Sequence, residues 1–73
     1  MITDHGVRTL YMQSVQRGYQ HESAGNYQSA MSEYNYALTI AKSFDDHGEI
    51  QNSNERISRL NDKIKRERSL WFD

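Results

Sequence analysis

Apolar residues recur along this chain in steps of three and four. Between positions 27 and 41, Tyr27, Ala30, Met31, Tyr34, Ala37, Leu38 and Ala41 keep the i, i+3, i+4, i+7 spacing of an amphipathic helix. Gly25 and Asn26 stand just before it. Glycine accepts a positive φ without a Cβ clash, so Gly25 is suited to end a preceding helix. Asn26 is suited to cap the next one through its side-chain oxygen. The pattern therefore predicts a helix, a tight turn and a second helix folded back on the first. Ala30 and Ala37 leave room for a neighbouring backbone, and Tyr27 and Tyr34 are expected to fill the gaps as core.

Upstream, a helix is predicted over about 5–24, with Thr3 or Asp4 as its N-cap. Val7, Leu10, Tyr11, Ser14, Gly18 and His21 share one stripe, and Met12, Val15, Tyr19 and Glu22 form a second. The first stripe is weak, because Ser14, Gly18 and His21 offer little to bury. Gly18 costs about 1 kcal/mol relative to alanine inside a helix, which is explained if it admits the second helix at close range. The second helix spans about 27–44. Tyr36 and Ile40 lie off its main stripe and call for cover from a third element or a partner.

Asp45 to Glu49 read as a turn, with Asp46 and Glu49 spaced as a capping box. A third helix follows over about 47–69. Ile50, Ile57, Ile64 and Trp71 lie seven apart with Leu60 between, a narrow heptad seam interrupted by Ser53 and Glu67. The expectation is a single all-α domain over 1–73, an antiparallel hairpin plus a third helix forming a three-helix bundle.

Composition narrows the class. A chain of 73 residues buries only about 60% of its unfolded surface. It has no cysteine, which excludes disulfides and thiolate metal sites and favours a reducing compartment. No apolar run reaches the roughly 18 residues of a membrane-spanning helix, and the start lacks a signal-peptide layout. A cytoplasmic protein is expected. The formal net charge of −1 hides an uneven distribution: 3 − 6 = −3 over residues 1–50 and 6 − 4 = +2 over residues 51–73. That polarity invites self-association, weakened by salt.

The residues Gly25, Asn26, Tyr27, Ala30, Tyr34, Ala37, Leu38 and Ile40 resemble the second half of a tetratricopeptide repeat, with Gly18 at the small position of the first helix. Positions 41–49 resemble the longer inter-repeat turn of some members. The resemblance implies that the third helix opens a second repeat, and that Met12, Val15 and Tyr19 lie on a concave binding face. Ser14, Arg17 and His21 depart from the larger apolar side chains usual there. The chain is also similar to the three-helix microtubule-interacting-and-trafficking domain. It is similar again to the AraC-negative-regulator family through Ser14, Glu22, Gly25, Tyr27, Ala30 and Ala37, without that family's tryptophan at Tyr34.

Catalytic and metal chemistry find little footing. His5, His21 and His47 are not spaced as ligands, and the acidic run around His47 explains itself as a capped turn. No enzyme activity, cofactor or metal is expected. Lys63, Lys65, Arg66 and Arg68, preceded by Arg56 and Arg59, form a stripe that could track phosphates. Cations near a helix C-terminus have an ordinary electrostatic explanation, and Asp62 and Glu67 interrupt them, so nucleic-acid contact is the lesser reading.

The expected function is non-catalytic protein–protein recognition, as an adaptor, chaperone-like or regulatory subunit. Met12, Val15, Tyr19 and Glu22 are the candidate partner-binding face. Tyr36, Ile40, Trp71 and Phe72 are further candidates, large aromatics being common anchors. A homodimer would cover Tyr36, Ile40 and the heptad seam. The alternatives are a small bacterial transcription-linked regulator, acting through a transcription factor or weakly on nucleic acid, and a self-assembling structural protein.

Overall fold

The computed structural model of the chain describes the backbone of residues 4–72 and the side chains of residues 6–68. Three helices follow in order: α1 (Asp4–Ser23), α2 (Tyr27–Ser43) and α3 (His47–Phe72). No strand occurs among the described residues. The fold is the expected all-α three-helix bundle. The ends of α1 and α2 fall within one residue of the sequence reading. α3 continues past the expected end at 69, because no glycine or proline follows Gly48 to stop it. Thr3, named as a candidate cap, lies outside the described residues.

The first reversal is a Schellman turn. Gly25 holds φ +82°. Its N–H donates to the Glu22 carbonyl at 3.0 Å, and the Asn26 N–H reaches the His21 carbonyl at 2.8 Å. Asn26 is the N-cap of α2, but not by its side chain as expected. Its main-chain oxygen accepts from the Ala30 N–H at 3.0 Å, and its side chain makes no capping bond. At φ −88° and ψ 70°, its backbone departs from the extended conformation that aims a capping side chain. The second reversal uses Asp45 in the left-handed region at φ 54°. Asp46 then caps α3, its carboxylate accepting the Glu49 N–H at 3.2 Å.

α2 is the shared middle element. α1 and α3 each pack against it, while among the described residues their own Cα atoms stay more than 8 Å apart. Its apolar stripe therefore serves two neighbours. Toward the second turn, Tyr11, Val15, Ala37, Ile40 and Ala41 are buried together, with Val7, Leu10, Phe44 and Ile50 against them. Toward the first turn, Ala30, Tyr34 and Leu60 are buried, flanked by Tyr27, Met31, Ile57 and Ile64. Ile40, read as needing cover from a third element or a partner and as a candidate partner contact, is inside the first cluster, against which Ile50 of α3 packs. Tyr27, read as core, is only half-buried and gives its hydroxyl hydrogen to Glu67 at 3.0 Å.

The weak-looking stripe of α1 is buried because it is small. An ideal Cβ on Gly18 would lie 2.3 Å from Cε1 and 2.6 Å from Cδ1 of Tyr34. The Tyr34 ring occupies the place a side chain would take. Ser14 is fully buried on the same helix, its hydroxyl without a partner among the described residues. The supposed interruptions of the α3 seam are contacts too. Ser53 is buried, its Oγ 3.4 Å from the Tyr11 hydroxyl, and Glu67 receives Tyr27.

Gly18→Ala should lower stability by about 1–3 kcal/mol in urea unfolding, although alanine is the better helix former, because the Tyr34 ring that must shift is buried with Ala30 and Leu60. A gain in stability would contradict this packing.

Candidate functional site

With α1 and α3 both seated on α2, a groove remains between them. Arg8, Met12, Val15, Tyr19 and Glu22 recur in steps of four and three along one edge of α1. A cavity of about 490 Å³ lies against this edge, lined by Arg8, Tyr11, Met12, Val15, Gln16 and Tyr19 of α1, Phe44 of the second turn, and Glu49 and Arg56 of α3. A smaller hollow of about 330 Å³ adjoins it at Tyr19 and Arg56, where Asn52, Glu55 and Arg59 complete the lining. Met12 is 68% exposed and Tyr19 43% exposed, whereas Val15 is buried beneath them as floor.

Arg56 crosses from α3 to α1. Its Nε donates to the Tyr19 hydroxyl at 2.9 Å and its Nη1 to the Tyr11 hydroxyl at 2.9 Å. The guanidinium also lies 5.8 Å from the Tyr19 ring centre and 6.0 Å from that of Tyr11, where the ring faces attract a cation. At the other end Arg8 lies over the Phe44 ring at 4.7 Å and 3.6 Å from Asp46. Phe44 meets Tyr11 edge to face, with centroids 6.0 Å apart. The groove thus has an apolar middle and a cation at each end.

Beyond Tyr19, a polar knot joins all three helices. The Tyr34 hydroxyl donates to Glu22 Oε1 at 2.7 Å, and Lys63 Nζ donates to Glu22 Oε2 at 2.8 Å. Burial pushes the Glu22 carboxyl upward, but the bonds from Lys63 and Tyr34 outweigh it and hold the group below the usual carboxylate value. Burial, and then the bond to Glu22, push the Tyr34 phenol well above its ordinary range. The bond to Glu22 raises the Lys63 ammonium.

The groove brings together Met12, Val15 and Tyr19 from the sequence-derived face. Glu22 is engaged by Tyr34 and Lys63 instead of standing free. Tyr36 is 49% exposed on α2 and does not line the groove, and Ile40 is core. The side chains of Trp71 and Phe72 lie outside the described residues. Of the basic stripe, Lys63 is bound to Glu22, while Lys65, Arg66 and Arg68 are exposed.

Arg8, Tyr11 and Phe44 were not singled out as site residues from the sequence, and Arg56 was read only as leading into the basic stripe. A signal for Arg56 was present. With Ile50 opening the heptad, Glu49, Arg56 and Lys63 hold the flanking position that bridges neighbouring helices in coiled coils.

Among the described residues, no three histidine, aspartate or glutamate side chains gather as a metal site, and no helix is long and apolar enough to cross a membrane. Comparison of the chain with protein-family models, curated proteins and solved structures found no match.

The Glu22 knot makes a pH prediction. The folded pKa of Glu22 lies below the ordinary carboxylate value, so its contribution is present above that value and is lost as pH falls through the lowered one. In chemical unfolding, wild type should exceed Glu22→Gln near neutral pH, and the gap should close in acid. A gap that widens in acid would contradict the knot.

Proposed function

We propose that this chain is a non-catalytic protein–protein interaction module, an adaptor, chaperone-like or regulatory subunit, whose α1–α3 groove receives a segment of a partner protein. One observation carries the reading: Met12 and Tyr19 stand exposed two turns apart on a groove wall whose floor, Val15, is already buried. Burying a methionine side chain fully contributes about 1.5–3 kcal/mol, and the fold leaves that gain to an occupant. Tyrosine and methionine are also enriched at recognition surfaces.

The groove lining suits recognition, combining the apolar side chains of Met12, Val15 and Phe44 with arginine, tyrosine, glutamate and amide groups. The resemblance to a tetratricopeptide hairpin fits the same reading, since it implies a binding face on Met12, Val15 and Tyr19. Absence of cysteine fits a cytoplasmic setting. Nucleic-acid contact has less support, because Lys63 is drawn onto Glu22.

Photo-crosslinking in the native host tests the proposal. A photoreactive residue at Met12 should yield a partner adduct, and one at Tyr36 should not. Met12→Ser should weaken capture about tenfold or more while changing the urea midpoint little, since the side chain is mostly in water. Adducts confined to Tyr36, or capture indifferent to Met12→Ser, would overturn the groove reading. An adduct of twice the chain mass at Tyr36 would point to self-association instead.

A further inference from the structure

Resting on the groove reading above, we infer that the occupant is an amphipathic helix of a partner protein that sets an aspartate or glutamate carboxylate against Arg56. The guanidinium has five N–H donors in a fixed fork, and the phenols of Tyr19 and Tyr11 account for bonds from Nε and Nη1. No carboxylate lies within ion-pair distance of Arg56 among the described residues. Glu22, on the same edge of α1, is already engaged by Lys63 and Tyr34. Glu49 and Glu55 line the two hollows without pairing to Arg56.

Arg56 is therefore a cation held in place by neutral acceptors, at the junction of both hollows. Neutral phenols fix its orientation without neutralising it, and its remaining donors suit a planar, two-pronged anion. Preorganisation of this kind reduces the entropy lost when the pair forms.

The shape of the groove selects a helix. Its α1 wall runs from Arg8 to Tyr19, about 17 Å or three helical turns. Both walls are helices, whose main-chain groups are already paired. An extended segment would find no backbone partners there and would lay its own unpaired groups over an apolar floor. A helix satisfies its backbone internally and presents side chains at i, i+3 and i+7. Its apolar face would meet Met12 and Tyr19, and its acid would reach Arg56.

The test uses the full chain and a display library of peptides about 14 residues long, randomised on an amphipathic helical frame. Binders that require Met12 should carry an acidic residue at a fixed distance from their apolar anchors. Changing that acid to its amide should weaken binding to wild type about tenfold or more, and have no further effect on Arg56→Gln. Arg56→Lys should restore only part of the affinity, because it keeps the charge and loses the fork.

Binders that require Met12 but have no acidic residue, or are indifferent to its removal, would overturn this inference and leave the groove reading standing. Failure to select any binder that requires Met12 would overturn the groove reading, and the inference with it. Should Arg56→Gln fail to fold, the acid-to-amide change measured on wild type decides.

Discussion

The ring of Tyr34 rests on the bare backbone of Gly18, and through that one side chain three helices are tied together. A Cβ at Gly18 would come within 2.3 Å of the ring, so the contact exists only because the position is glycine. The ring is 1% exposed, with Ala30 and Leu60 in the same cluster. Its hydroxyl passes the linkage on to Glu22 of α1, and Glu22 passes it to Lys63 of α3. Tyr19 meets the same ring edge to face at 5.8 Å. In a chain this short, such convergence matters, because few other large side chains are fully buried.

The same economy leaves the groove open. α2 spends its small residues on both neighbours, with Ala30, Ala37 and Ala41 almost wholly buried, and α1 and α3 are held apart across it. Side chains must span the remaining gap. Tyr11 with Ser53, Arg56 with two phenols, and Glu22 with Lys63 do so. Each bridge is polar; the contact between Tyr11 and Ser53 is buried, and the other two lie at the margin of the apolar core. A groove with polar ties along it and an exposed methionine at its lip is what a third helix leaves when it packs closely on the second and reaches the first only through side chains.

Local chemistry made the helices legible. Gly25 forced the first reversal, Asp46 and Glu49 marked the start of α3, and the alternation of alanine with tyrosine marked α2 as the packed face. The second stripe of α1 became one wall of the groove. What stayed hidden depended on partners distant in sequence. Ser14 and Ser53 looked like breaks in apolar stripes, yet they are buried because small residues let helices approach. Arg56 and Lys63 looked like members of a solvated basic run. Their partners, Tyr11, Tyr19 and Glu22, lie 37 to 45 residues away, and local periodicity says nothing about contacts at that range. Asn26 shows the reverse error, since a good capping residue was given a capping role that its backbone did not adopt.

The central claim is that the aromatic ring sits in the glycine notch. Nuclear magnetic resonance reads this directly in the native chain. The account predicts cross-peaks between the Gly18 α protons and the Tyr34 ring protons, with the α resonances moved off their ordinary helical shifts by the ring current. Gly18 α protons at ordinary helical shifts, with no cross-peak to Tyr34, would contradict it.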